Sequence, residues 1–223
     1  MTPAKTTSPK PVPFDWNELH QFKAEKRFLD GYPPDTRTFF SPRDDVHGVL
    51  TSLIASAQHA IVINMYGYDD DDIDDIIRNK LRSEHVYVQM SLDKSQAGGV
   101  HERELLAQWD HSKFGNSIAI GSSAKSAISH LKICIIDGVY TVKGSTNWSL
   151  SGEQKQDNEL TISRNAVIAA ETRALLDMNH DWMLKQMAKA RAGGKSTPQP
   201  AGKGTGRFKR STTGAKPRAR RGG

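Results

Sequence analysis

The residues best suited to carry chemistry lie between positions 130 and 147. His130 and Lys132 are separated by a single leucine, Asp137 follows, and Ser145 and Asn147 come after a second short apolar run. In an extended strand His130 and Lys132 would project from the same face, because side chains alternate with period two. An imidazole beside an ammonium suits attack on phosphorus: the histidine supplies the nucleophile and the lysine stabilises charge on the phosphoryl oxygens. The pair is therefore suited to phosphoryl-transfer chemistry.

The residues after this pair have supporting interpretations. Asp137-Gly138 predicts a tight turn between two strands, and Asp137 is a typical turn residue. Ser145 and Asn147 would add neutral hydrogen-bond donors near His130 if the returning strand pairs beside the first. Gly144 is expected where two backbones approach closely. Cys134, Leu131, Ile133 and Ile135 are interpreted as core residues, and the cysteine as a small buried hydrophobe rather than a reactive thiol.

The segment as a whole reads HxK, four residues, D, six residues and GSxN. It resembles the signature of the phospholipase D superfamily at every defining position. Six fixed identities should occur by chance on the order of once in a million chains of this length. The resemblance implies catalytic roles for His130, Lys132, Ser145 and Asn147, and a supporting role for Asp137, which orients or fixes the motif in this family.

Two further features resemble the nuclease branch of that family. Asn158-Glu159 follows Asn147 where that branch carries an Asn-Glu pair, and the family places this glutamate against the active-site histidine, where it would hold one tautomer. Lys94 and Gln96 follow a predicted strand in a stretch similar to one in small bacterial nucleases. They are expected to contact the substrate phosphate together with Gly144; a solvated loop is the alternative.

The chain carries one complete motif, whereas the family mechanism uses two histidines. His111 and Lys113 match the first two positions of the motif. However, Ile118 occupies the position of the aspartate, and no GSxN follows. The resemblance therefore implies a homodimer in which two copies of His130 form one composite site. No cofactor and no metal ion is expected, because His and Lys replace the cation that most nucleases use.

The charge is divided sharply along the chain. Residues 185–223 contain twelve Lys and Arg and no acidic residue, whereas residues 1–184 hold 19 basic and 25 acidic residues. Such a tail favours a polyanionic partner; a solubilising extension or a protein-docking segment is the alternative. Nucleic acid, DNA or RNA, is the leading substrate. The rivals are a lipid phosphodiesterase and a nucleic-acid-binding protein with little catalysis. The tail residues predicted to bind nucleic acid are Lys203, Arg207, Lys209, Arg210, Lys216, Arg218, Arg220 and Arg221.

Alternating strand and helix patterns predict an α/β fold, a mixed sheet flanked by helices on both faces. Three parts are expected: an N-terminal arm (1–37), a phospholipase D-like catalytic domain (38–190) and a disordered basic tail (191–223). No apolar run reaches the roughly 18–20 residues that span a bilayer, and residues 1–13 do not resemble a secretory signal. We therefore expect no integral membrane association and a cytoplasmic location.

The predicted elements alternate along the chain. Six aspartates lie between positions 69 and 75, and we interpret most of them as favouring the positive N-terminus of a helix rather than binding a metal. The predicted strands are 38–40, 60–66, 86–92, 117–120, 131–136, 139–143 and 160–163. The predicted helices begin near residues 46, 73, 100 and 167, and the last of them turns Ile168, Leu175, Leu176, Trp182, Met183 and Met187 towards a core.

Overall fold

The computed structural model describes residues 14–83, 85–96 and 115–193. The helix predicted over residues 100–109, the partial motif at His111 and Lys113, and the basic tail beyond residue 193 lie outside the described residues.

A seven-stranded mixed sheet forms the centre of the described fold. Its strands are β1 (Thr36–Ser41), β2 (Ala60–Met65), β4 (Tyr87–Asp93), β5 (Ile118–Gly121), β6 (Lys132–Ile136), β7 (Tyr140–Gly144) and β9 (Asn158–Arg164). Their order is β1-β9-β7-β6-β2-β4-β5. The run β2-β4-β5 is parallel, and every other neighbouring pair is antiparallel. Two short strands, β3 (Tyr68–Asp69) and β8 (Trp148–Ser149), pair separately. All seven predicted strands are present, with ends that differ by one or two residues.

Helices cover both faces of the sheet, which confirms the predicted fold class. A 3-10 helix (Trp16–Phe22) precedes the sheet, and the α-helices are α1 (Val46–Ser56), α2 (Asp71–Ser83), α3 (Leu150–Gln154) and α4 (Ala166–Ala192). The larger core joins α1 and α2 to one face, and two smaller clusters join α4 to the other. Strand β2 shows the alternation: Ile61 and Ile63 belong to the larger core, whereas Val62 faces α4.

The prediction for α4 was wrong for half of its apolar residues. Leu176, Met183 and Met187 are buried, but Leu175, Trp182 and Ile168 are 47%, 40% and 36% exposed. Each exposed residue immediately precedes a buried one, and consecutive residues on a helix are turned by about 100°. The helix therefore meets the sheet along a narrow stripe of residues at near-heptad spacing, and the adjacent apolar row stays at the surface.

The described part of the predicted N-terminal arm packs into the larger core. Trp16 and Leu19 are buried there, and Phe14, Phe22 and Phe28 pack against it. The Asp15 carboxylate accepts a hydrogen bond from Asn17 N and caps the 3-10 helix. The boundary predicted at residue 38 is therefore not a boundary of the hydrophobic core.

The aspartate run begins α2, as predicted. Asp71, Asp72 and Asp74 lie in its first turn, where the helix dipole favours negative charge. Asp70 Oδ1 accepts a hydrogen bond from Ile73 N at 2.8 Å, as a capping residue does.

Candidate active site

His130 and Lys132 lie at the beginning of β6, at one end of the sheet. Lys132 Nζ is 3.2 Å from His130 Nε2 and donates to the backbone oxygen of His130 at 3.3 Å. The side chain of Lys132 is almost buried, and burial lowers the pKa of its ammonium group. His130 is exposed. The structure thus holds the imidazole and the ammonium together on one side of the strand, as the period-two argument predicts.

An open cavity of about 390 Å³ lies beside this pair. The residues that line it come from the start of β6 and from β7 and β9, namely His130, Leu131, Lys132, Ile133, Lys143, Gly144, Glu159 and Thr161. Lys143 adds a second cation that the sequence analysis did not single out. A cavity with two lysines and a histidine suits an anionic phosphodiester.

Tyr66 is a neighbour of His130 that sequence reasoning missed. Its ring meets the His130 ring edge to face, with centroids 4.6 Å apart, and Lys132 Nζ lies 5.0 Å from the same tyrosine centroid. Gln96 Nε2 donates to the Tyr66 hydroxyl at 3.1 Å. The structure therefore links the predicted residue Gln96 to the histidine through Tyr66. Lys94 is exposed on the same turn, and its backbone N–H bonds Gly121 O at 2.7 Å.

Gly144 and Ser145, at the end of β7, contact the neighbouring strand β9. A Cβ at Gly144 would collide with the backbone oxygen of Glu159, which confirms the close backbone approach predicted there. Ser145 Oγ donates to Asn158 Oδ1 at 2.9 Å and accepts from Glu159 N at 3.0 Å. Ser145 thus hydrogen-bonds the GSxN turn to β9. Its hydroxyl hydrogen is donated to Asn158 and is therefore not directed at a substrate in this arrangement.

Asn147 packs against the backbone of Gly67, the residue after Tyr66. A Cβ at Gly67 would lie 2.9 Å from Asn147 Cγ, and Trp148 N donates to Gly67 O at 3.0 Å. Asn147 Oδ1 is buried and has no hydrogen-bond partner in the described structure. The GSxN turn and the Tyr66 turn are therefore held together as one unit.

Glu159 lines the same cavity as His130, but the two side chains share no hydrogen bond within the described residues of one chain. Glu159 Oε1 instead accepts from Thr161 Oγ1 at 2.8 Å. The contact with the histidine that the resemblance implies is therefore not made in this arrangement.

Asp137 lies at the opposite end of β6 from His130, roughly 20 Å along the strand. Its carboxylate accepts backbone N–H bonds from Gln58, His59 and Ala60 at 2.9, 2.7 and 2.9 Å, at the beginning of β2. Its φ of 52° places it in the left-handed region of a turn. Asp137 does not line the cavity with His130 and Lys132, so it cannot contact the reacting group, and the structure gives it the supporting turn role.

Replacing Asp137 with alanine should lower the free energy of unfolding by about 2–4 kcal/mol, because three N–H groups lose a charged acceptor. Chemical denaturation measures this loss. Asp137→Asn keeps one acceptor and tolerates positive φ, so its loss should be smaller. If Asp137→Ala kept its stability but had a lower turnover rate, Asp137 would have a catalytic rather than a structural role.

A buried polar network supports the residue before His130. Asp93 Oδ2 accepts from Ser129 N, and Asn64 Nδ2 donates to Ser129 Oγ at 3.1 Å. Asp93 Oδ1 accepts from Ser95 N and Oγ at 2.9 and 2.6 Å. Asp93 and Asn64 are fully buried. This network connects the ends of β2 and β4 to the chain entering β6 and so determines where His130 lies.

Asp93→Asn should lower the turnover rate by roughly 10–100-fold with little change in KM, because a small displacement of His130 disrupts its alignment with phosphorus. Steady-state kinetics with a thermal melt separates this effect from unfolding. Ser95→Ala is the matched control, since it removes a partner from the other carboxylate oxygen. Unchanged turnover in Asp93→Asn would show that the network does not position the histidine.

Elsewhere in the described residues, His47, Asp70 and Glu153 are the group whose side chains lie close enough to share a metal ion, and none of them belongs to the motif. No described helix has the length and apolar character to cross a bilayer.

Comparison with known proteins identifies the family and the fold. Residues 50–182 match the family described as cardiolipin synthase, PLD-like domain. No curated protein sequence matches the chain. The fold is similar to that of Nuc from Salmonella typhimurium, a phospholipase D family member, with a TM-score of 0.55 and 21% identity, over 67% of this chain and 95% of that one.

Two further solved structures are similar. NucT from Helicobacter pylori has a TM-score of 0.55 and 20% identity, over 67% of this chain and 95% of that one. Phosphatidylserine synthase from Haemophilus influenzae has a TM-score of 0.52 and 11% identity, over 67% of this chain and 39% of that one. At these identities the likeness shows the fold alone. Because the family match covers more than half of the sequence, the chain belongs to the phospholipase D superfamily.

Proposed function

We propose that the protein is a metal-independent nuclease that hydrolyses phosphodiester bonds of DNA or RNA through a phosphohistidine intermediate. The observation that carries this proposal is the His130–Lys132 pair in an open, basic cavity. A ring nitrogen of His130 attacks phosphorus, and the bond from phosphorus to the leaving oxygen breaks. Lys132 stabilises the charge on the phosphoryl oxygens.

A second histidine has to protonate the leaving oxygen and then take a proton from the water that hydrolyses the phosphohistidine. We assign this role to His130 of a second copy in a homodimer, since the chain has one complete motif. Glu159, at the cavity edge, is then available to the partner's ring or to the substrate.

Nucleic acid is the proposed substrate because of charge. The nine Lys and Arg residues after position 193 would displace counterions from a phosphate backbone. The similarity in fold to a phosphatidylserine synthase makes a lipid phosphodiester the principal rival. A nucleic-acid-binding protein with little catalysis is the other.

A substrate panel distinguishes these three functions. Purified protein is incubated with plasmid DNA, single-stranded DNA, RNA and phosphatidylcholine vesicles, with His130→Ala as the control. We expect cleavage of at least one nucleic acid and none of the lipid. Release of choline alone would establish the lipid activity, and binding without cleavage would establish the third function.

Mixing wild type with His130→Ala in equal amounts tests the composite site. If subunits exchange freely and both histidines are needed, activity should fall to about a quarter of that of the same total amount of wild type, because only wild-type pairs remain active. Independent subunits would retain about half. Analytical ultracentrifugation of the mixture confirms that dimers are present, and an activity of one half would refute the shared site.

A further inference from the structure

Three side chains that are distant in sequence meet beneath the GSxN turn. His47 lies in the first turn of α1, Asp70 precedes α2, and Glu153 lies in α3. His47 Nδ1 is 2.8 Å from Glu153 Oε2 and 3.3 Å from Asp70 Oδ2. One ligand atom from each residue lies within 4.8 Å of the others. An imidazole nitrogen and two carboxylate oxygens thus surround one point.

The other nitrogen of His47 is also occupied. Nε2 is 3.1 Å from Asp72 Oδ2, on the exposed side of the ring. If Nε2 carries the proton and donates it to Asp72, the lone pair of Nδ1 faces two carboxylate oxygens. Three acceptors around one point repel one another unless a positive charge lies between them.

Burial makes this repulsion costly. The side chains of Asp70 and Glu153 are 4% and 0% exposed. Glu153 Oε1, on the carboxylate whose other oxygen touches His47, is buried and has no hydrogen-bond partner in the described structure. A cation bound between His47, Asp70 and Glu153 would lie against the Glu153 carboxylate and could satisfy this second oxygen.

We propose that His47, Asp70 and Glu153 bind a divalent transition-metal cation of the Zn²⁺ type. Zn²⁺ takes imidazole nitrogen and carboxylate oxygen at about 2.0–2.2 Å, usually with four ligands in total. Such an ion would neutralise the two buried carboxylates and give Glu153 Oε1 a partner. Asp72 would accept the outer N–H of the ligating histidine, an arrangement typical of metal-bound imidazole. Water completes the fourth position.

The ion has a structural role, separate from the proposed hydrolysis. It joins the beginnings of α1 and α2 to α3, the helix that follows the GSxN turn. Gly152, next to Glu153, approaches the backbone oxygen of Asn147 so closely that a Cβ there would lie 2.5 Å from it. Removing the ion is therefore expected to loosen the support of Asn147 without removing a group that reacts with phosphorus.

Thermal melting of the full chain tests the site. Protein stripped with EDTA and freed of chelator is melted with increasing Zn²⁺, and with Mg²⁺ for comparison. At Zn²⁺ about 100-fold above its Kd, the melting midpoint should rise by roughly 5–10 °C. Titration calorimetry should give one ion per chain. Mg²⁺ should have little effect, because it prefers six oxygen ligands.

Variants separate this site from the active site. His47→Gln and Glu153→Gln should each abolish the Zn²⁺-dependent rise, whereas Glu171→Gln, an exposed residue of α4, and His130→Ala should retain it. If Glu153→Gln does not fold, the partly exposed His47→Gln carries the test. No rise in the wild-type midpoint would overturn the proposal and identify the cluster as a doubly protonated histidine between carboxylates. An equal rise in His47→Gln, or its loss in His130→Ala, would place the ion elsewhere.

Discussion

Replacing His130 with alanine should reduce phosphodiester hydrolysis on the order of 10⁴-fold or more, because one substitution removes both the nucleophile and, in the proposed dimer, the general acid. The side chain is exposed and precedes β6, so the fold should not depend on it. Surface changes of this kind alter stability by about 0.5 kcal/mol or less. Initial rates on the substrate identified by the panel, with a thermal melt of the same sample, measure both quantities.

The matched control is His59→Ala. His59 is also an exposed histidine, and it lies at the Asp137 end of the sheet, where its backbone N–H bonds that carboxylate. Its replacement should leave the rate within about twofold of wild type, since surface substitutions away from a site are usually close to neutral. A His130→Ala protein that still cleaves at more than a tenth of the wild-type rate would exclude the phosphohistidine mechanism.

Removing residues 194–223 should weaken nucleic-acid binding by roughly 10²–10³-fold at low salt while the chemical step is preserved. The deletion removes nine Lys and Arg residues and leaves α4 complete, since that helix ends at Ala192. For every phosphate that the shortened protein no longer neutralises, the slope of log K against log salt should become shallower by about 0.9 on duplex DNA. Fluorescence anisotropy at several salt concentrations measures the affinity and the slope together.

Two controls distinguish affinity from chemistry in the shortened protein. Turnover of bis(p-nitrophenyl) phosphate, a small diester without a polyanionic backbone, should be unchanged. A full-length variant with the nine basic residues replaced by glutamine should behave like the deletion, because charge rather than length provides the affinity. Unaltered affinity for DNA and RNA in the deletion would assign the tail to another partner.

The sequence by itself determined the fold class and singled out the residues proposed to react. Both depend on patterns that are local along the chain. Alternation with period two placed His130 and Lys132 on one side of their strand, where the structure has them. The close approach of the backbone at Gly144 to that of Glu159 was also predictable from local sequence. A glycine between a strand and a polar turn indicates that there is no room for a side chain.

Only the tertiary structure decided what surrounds those residues. Ser129 meets Asp93 across 36 residues, His47 meets Glu153 across 106, and Asp137 meets Gln58 across 79. No periodicity links such pairs, because the sheet order and strand register that bring them together arise from packing of the whole core. The turn role of Asp137 was predicted from its type, but its separation from His130 follows from the length of β6, and the exposed row on α4 follows from where that helix lies on the sheet. The motif could be recognised in the sequence because its residues are close together along the chain. The network around Asp93 and the cluster of His47, Asp70 and Glu153 could not, because their residues come together only in the folded protein.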